Sequence, residues 1–349
     1  MKCKEYGAFV LIDSLCRDIR EQLRLSFPHE FNRIFVIALV RLIYGCGFSK
    51  INDYFQLSSA SDNYDVSLTK NTVTDFLSYL GNNRQRIMHF MHNYVADSSQ
   101  LLIDGSNYFY NGEQLDIARK GHNNKGKSQP QITLLYAFNK DGHMPGYYRV
   151  LPGNIIDQTS FGNLIQEMSV KDCLFVADKG FYSQKNVNVL RTQGLDYIIP
   201  LKHTLKIVDD CLVGRDDDRT YQGFFVYHNR VIWYKKIKKD EKIFIYQYLD
   251  VERKTQLEKQ YMRNIVEEKE GYTIDEFQRK RKNMGTFYFL SDLDQDCQEI
   301  YLTYKGRWEI ETMFDEMKNK VGLGENQSKQ SSGSRRLGIY QSYYHDDAL

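Results

Sequence analysis

The stretch SQLLIDGSNYFY, Ser99–Tyr110, is where the chain changes character. On its N-terminal side the apolar residues repeat with helical spacing. EFNRIFVIALVRLIYG (30–45) reads as a strongly apolar helix closed by Gly45 and Gly47, and Ser49 stands as the cap of KINDYFQLS (50–58). SLTKNTVTDFLSYLG (67–81) and NNRQRIMHFMHNYVAD (82–97) add two more helices. From Gln100 onward, short apolar runs bounded by turn residues take over: QLLID ending at Asp104, QITLLYAF (131–138), and DGHMPGYYRVLPGN (141–154) after a turn. Helix and strand then alternate through DQTSFGNLIQEMS (157–169), CLFVAD (173–178), SQKNVNVLRTQG (183–194) and DYIIPLK (196–202). The order β-β-β-α-β-α-β predicts an α/β fold with one mixed sheet and flanking helices, preceded by an α-helical domain.

The sheet pattern halts after residue 205. A basic, alternating β stretch (224–249) and a highly charged helical stretch (251–270) follow, before GTFYFLSDL (285–293) resumes strand character and a last helix opens near 297. This predicts five parts. Residues 1–97 form a helical N-terminal domain, 98–205 the first part of the sheet domain, 206–284 a β-rich insertion, 285–323 the remainder of the sheet domain, and 324–349 an irregular or disordered tail. A short helix, a turn and a helix opening with Thr69, Lys70, Asn71 and Thr72 fit either a helix-turn-helix DNA reader or a plain bundle.

Composition narrows the class without naming it. The 349 residues are 42% hydrophobic and 26% charged with a net charge of +2, so any nucleic-acid contact must come from local basic patches. The six cysteines, Cys3, Cys16, Cys46, Cys173, Cys211 and Cys297, show no CxxC pair and read as reduced thiols of a cytoplasmic protein, with neither a disulfide frame nor a zinc site. The longest apolar run is interrupted by Arg41 and falls short of the roughly 20 residues of a membrane span. His89 and His92 sit at i,i+3 with no third ligand nearby and read as ordinary core or surface histidines.

Two aspartates close apolar strands, Asp104 before Gly105 and Asp178 before Lys179 and Gly180. Turn chemistry explains each singly, but open α/β sheets place their sites at strand carboxyl ends. The third carboxylate comes from YKGRWEIETMFDEMK (304–318). Read as one helix at about 100° per residue, with Tyr304 at zero, it puts Arg307 near 300°, Glu311 near 340° and Lys318 near 320°. These four share a stripe beside the apolar face of Ile310, Met313, Phe314 and Met317. Asp104, Asp178 and Glu311 would form an all-oxygen cluster suited to two Mg²⁺ or Mn²⁺ ions acting on a phosphodiester. Arg307 and Lys318 could then contact DNA phosphates, and Tyr304 could bond a phosphate or stack on a base. A surface helix with an Arg307–Glu311 pair explains the stripe about as well.

The spacing Tyr304-(2)-Arg307-(3)-Glu311-(6)-Lys318 resembles the Y-(2)-R-(3)-E-(6)-K signature of bacterial insertion-sequence transposases of the DDE superfamily. VADKGFYS (176–183) is similar to that group's second-aspartate motif, and the strand pair over 131–161, with its Pro-Gly-Asn, resembles the group's segment there. Asp104 takes the first-aspartate position. The resemblance covers roughly residues 99 to 323. It implies an RNase H-like core interrupted by the insertion, with the acidic triad binding two divalent ions, cleavage of DNA at transposon ends, and joining of the freed 3′ hydroxyl to target DNA. It also implies a homodimer that pairs two ends, N-terminal helices that read the terminal inverted repeats, and work on nucleoid DNA.

Under that resemblance Lys235, Lys236, Lys238, Lys239 and Lys242 are candidates to track the DNA backbone, as are Arg119, Lys120, Lys125 and Lys127. Trp233 is a candidate to stack on a flipped base. The Ser/Gln/Lys-rich text after about 324 departs from the family and suggests a truncated or divergent end. Two other functions remain open at this point: an RNase H-like nuclease that cuts without joining, and a defective copy that binds ends and inhibits.

Overall fold

In the computed structural model, residues 4–109, 117–120, 130–154, 157–209 and 221–319 are described. Lys125, Lys127, Cys3, Cys211 and the tail after 319 lie outside the described residues. The chain divides into two compact units, one of residues 1–170 and 309–349, the other of residues 171–308.

The first unit opens with seven helices, α1 (Gly7–Leu15), α2 (Arg17–Ser26), α3 (Phe31–Tyr44), α4 (Ile51–Leu57), α5 (Ala60–Asn63), α6 (Lys70–Gly81) and α7 (Arg84–His92). Their apolar stripes meet in a core that includes Phe35, Val36, Val40, Ile51, Phe55, Val73 and Phe76. Gly45 ends α3 in the left-handed region at φ 57°, which glycine enters without a Cβ clash. Thr69 caps α6 by accepting a hydrogen bond from the Thr72 N–H. Ser49 does not cap α4: it lies inside a 3₁₀ turn, Phe48–Lys50, and Lys50 takes the cap position without a side-chain bond.

The sheet of this unit comprises β1 (Gln100–Phe109), β2 (Arg119–Lys120), β3 (Pro130–Asn139) and β4 (Met144–Pro152). β1 and β4 pair with β3 antiparallel, and β2 pairs with its first two residues. At Gly153 of the Pro-Gly-Asn segment a Cβ would lie 2.1 Å from the Gln131 carbonyl oxygen and 2.6 Å from that of Arg119, so the close approach of β2 and β3 requires glycine there. Helix α8 (Asp157–Met168) follows. Its Glu167 carboxylate accepts from Arg149 of β4 at 2.7 Å, from Tyr147 at 3.3 Å and from Arg84 of α7, tying two helices to one strand.

The second unit holds β5 (Leu174–Ala177), α9 (Gln184–Thr192), β6 (Asp196–Leu201), α10 (Lys206–Asp209), β7 (Gly223–Tyr227), β8 (Arg230–Asp240), β9 (Ile243–Asp250), α11 (Val251–Val266), α12 (Ile274–Arg281), β10 (Thr286–Ser291) and α13 (Cys297–Lys305). β5 and β6 run parallel across the α9 crossover. The other pairs, β6–β10, β10–β9, β9–β8 and β8–β7, are antiparallel, so the sheet is mixed. One of its faces is aromatic: Tyr301 of α13 sits 5.1 Å from Phe225, 5.2 Å from Tyr227 and 5.4 Å from Tyr248, ring to ring. The β7–β8 turn places His228 and Asn229 at φ 46° and 60°, the two consecutive left-handed residues of a tight hairpin. Helix α14 (Trp308–Asn319) carries the chain back into the first unit.

Candidate functional site

Asp104 does not end its strand. β1 continues through the Asp-Gly pair to Phe109, because Gly105 and the residues after it keep their register against Leu135–Gln131 of β3. Asp104 is therefore a mid-strand, half-buried carboxylate that accepts the Gly105 N–H at 2.8 Å. Its direct partner across the ladder is Tyr136, and directly opposed residues project from the same sheet face. On that face the Tyr136 ring meets the Phe314 ring of α14 edge-on at 5.6 Å. Glu311 lies three residues before Phe314, on the same side of the helix. Strand pairing and one ring contact thus bring α14 and its half-buried Glu311 to the face that carries Asp104.

α14 is held there by Ile310, Met313 and Phe314, all buried, and at its start by Glu309, whose carboxylate lies 3.0 Å from Nδ1 of His143 in the β3–β4 turn. The helical wheel places Glu309 away from the stripe, and nothing in the local sequence signals a partner 166 residues upstream. Lys318 lies on α14, with its side chain outside the described residues.

The single helix read over 304–318 is two helices. α13 stops at Lys305, Gly306 follows, and the Arg307 N–H bonds the Tyr304 carbonyl at 3.0 Å in a tighter turn before α14 begins. Tyr304 and Arg307 belong to the second unit, Glu311 and Lys318 to the first. In its own unit the Tyr304 ring packs against Phe289 at 4.3 Å with the planes tilted by 39°, and the Arg307 guanidinium lies 5.8 Å from the Tyr304 ring. The third carboxylate, Asp178, is also in the second unit. It follows β5 directly, with extended backbone, and opens a short 3₁₀ turn in which the Phe181 N–H bonds its carbonyl at 3.0 Å.

Among the described residues no group of three or more His, Cys, Asp or Glu side chains stands close enough together to hold a metal ion. The donor chemistry nonetheless fits a hard divalent ion. Asp104, Asp178 and Glu311 offer carboxylate oxygens and are all half-buried, open enough for an ion to keep some of its water.

The basic candidates differ from one another. Lys236 packs over Phe244 and Tyr246, ion-pairs with Asp294 and donates to the Gln295 carbonyl at 2.9 Å. Burial alone would lower its pKa, but the bond to Asp294 and the Tyr246 phenol hold it above the ordinary lysine value. Its charge is engaged inside the unit. Lys235 is half-buried, whereas Lys238, Lys239 and Lys242 are exposed, as are Arg119 and Lys120 on β2. Trp233 is half-buried between Phe224, at 5.2 Å, and Tyr221, at 6.3 Å.

Asp292, which the sequence did not single out, has its pKa raised to about 6 by burial, and its carboxylate accepts the Tyr197 N–H at 3.0 Å. It follows β10, which runs antiparallel to β6, so it lies at the edge where β5 and β6 begin, opposite to the edge that carries Asp178. That position makes it a strand-end brace. His92 of α7 pairs with the Met168 carbonyl at 3.0 Å.

A sequence model of the transposase DDE domain matches residues 95–339. Among solved structures, the chain is similar to the piggyBac transposase synaptic complex with hairpin DNA, at 12% identity and a TM-score of 0.46, over 92% of this chain and 64% of that one. It is also similar to the Mos1 transposase paired-end complex with the left transposon end, at 13% identity and a TM-score of 0.20, over 46% and 56%. A pre-cleavage Mos1 transpososome matches at 11% identity and a TM-score of 0.20, over 46% and 57%. The chain thus spans less than two thirds of each of those proteins. No curated protein matches it in sequence.

Proposed function

The chain belongs to the transposase DDE-domain family, and we propose that it cuts DNA at the ends of a mobile element and joins the freed 3′ hydroxyls to target DNA. The observation that supports this reading most is the sheet face shared by Asp104 and Glu311, taken with the family match. Members of the family generally use divalent metal ions. We assign Asp104, Asp178 and Glu311 to hold Mg²⁺ or Mn²⁺ in an RNase H-like core. Two such ions, when bound, make the attacking water or hydroxyl more acidic and neutralise charge on the leaving oxygen.

The protein's own groups then position the strand. The Arg307 fork and the Lys318 ammonium take phosphate oxygens, and Tyr304, fixed against Phe289, holds its hydroxyl toward the backbone. The exposed first turn of α6, from Thr69 to Asn71, reads the terminal inverted repeats, and the chain acts on nucleoid DNA as a homodimer pairing two ends.

The test uses purified full-length chain, Mg²⁺ and duplex DNA carrying the inverted repeats that flank the coding region. Asp104→Asn and Glu311→Gln are expected to lower Mg²⁺-dependent nicking by ~10²-fold or more with DNA binding nearly unchanged. Nicking at the wild-type rate by either variant refutes the assignment. Adding a target plasmid separates transposition, which gives joined product, from cleavage alone.

A further inference from the structure

Four cations of the second unit gather where the β7–β8 hairpin ends, α11 begins and α13 stops. Lys305, the last residue of α13, is exposed and holds its ammonium 5.1 Å from the Tyr301 ring. Tyr301 in turn packs on Tyr227, whose ladder partner is Arg230. Arg230 ion-pairs with the buried Asp250, and Asp250 caps α11 by accepting the Arg253 N–H at 2.8 Å. Arg253 is exposed, and Arg307 follows Lys305 by two residues.

The charges do not balance. Asp250 is the carboxylate that faces Lys305, and it is already shared by Arg230 and the start of α11. Glu252 turns its carboxylate to the Val231 N–H. Among the described residues neither Lys305 nor Arg253 has an ion pair. The crowding registers on Lys305, whose pKa is pushed down first by loss of water and then by Arg230, with Arg253 and Arg307 adding to it and only Asp250 opposing. A protein that holds like charges together at its surface gains from an anion that relieves the repulsion.

We propose that Arg230, Arg253, Lys305 and Arg307 form a seat for adjacent backbone phosphates of duplex DNA. The proposal rests on the transposase reading for the identity of the anion. It shifts the main electrostatic grip of this unit from the β8 lysines to the junction of β8, α11 and α13. Lys305 and Arg253 act here as point charge and fork on a phosphate and read no base.

The experiment measures affinity of the full-length chain for a labelled duplex of arbitrary sequence across a series of KCl concentrations. Each lost phosphate contact lowers the slope of log K against log salt by about 1. Lys305→Gln and Arg253→Gln are expected to bind more weakly at low salt and to lose about that much slope each, with Lys305→Arg restoring it. Lys259→Gln, an exposed lysine elsewhere on α11, is expected to match wild type. Both changed side chains are at the surface, so melting curves should superimpose. If wild type binds with a steep slope and both variants keep it, the seat is refuted and the transposase reading stands. If wild type fails to bind duplex at any salt, both fall.

Discussion

Replacing Phe314 by alanine tests the ring contact that joins α14, and with it Glu311, to the Asp104 face. Phe314 is 5% exposed and meets Tyr136 edge-on at 5.6 Å, with Ile310 and Met313 buried beside it. Removing a buried phenyl ring costs about 3–5 kcal/mol when the surroundings cannot collapse. Of that, roughly 0.5–1.5 kcal/mol belongs to the ring pair itself. A double-mutant cycle with Tyr136→Leu isolates that part, because each single change removes the same pair. Guanidinium unfolding followed by far-ultraviolet circular dichroism gives the stabilities, and hydrogen exchange on α14 shows whether this helix loosens before the rest of its unit. We expect Phe314→Ala to lose nicking activity along with exchange protection of α14, and Phe314→Leu to lose less of both. A cost below about 1 kcal/mol, or full activity in a variant whose α14 exchanges freely, would refute the argument that this ring seats Glu311 on the Asp104 face.

Two further outcomes are expected. Asp292 has a folded pKa of about 6, above the ordinary carboxylate value, so the folded state binds the proton more tightly and stability is lost as pH rises from about 4 through 6. Asp292→Asn keeps an acceptor for the Tyr197 N–H and should flatten that part of the curve, gaining about 1–3 kcal/mol at pH 8 and little at pH 4; an unchanged pH profile counts against the burial argument. Lys236→Gln, which breaks the pair with Asp294, should lower stability modestly and leave the salt slope of DNA binding alone, so a slope reduced by about 1 would show that this lysine reaches phosphate after all.

The sequence displayed its helices and strands well where local pattern and packing agree. The period of residues 30–45, the stop at Gly45 and the alternation from 131 to 202 all reappear. It misled at Asp104-Gly105, where turn chemistry suggests a strand end. The ladder to β3, closed by residues about 30 positions away, carries β1 onward through that pair. It misled again over 304–318, since an unbroken apolar period hides the break at Gly306, a residue that weakens a helix by about 1 kcal/mol. The candidate acids could be named from motif spacing. Which of them share a sheet face could not, because that depends on the Tyr136–Phe314 contact, and the same is true of His143 on Glu309. Likewise, the run of lysines on β8 looks uniform as text. Only the fold distinguishes Lys236, locked against Asp294, from its exposed neighbours.

The placement of the two tryptophans has a practical consequence. Trp233, half-buried in the β7–β8 ribbon, and Trp308, 72% exposed beside Arg307, are the chain's only two, and both lie in the second unit. Intrinsic tryptophan emission is therefore a built-in dye for one half of the molecule. With Trp308, which opens α14, replaced by phenylalanine, melting of the first unit leaves the Trp233 emission unchanged unless the second unit melts too, so an emission transition offset from the circular-dichroism transition would resolve the two units without any label. In the unsubstituted chain, quenching of Trp308 by added duplex would report occupancy next to the Lys305 cluster.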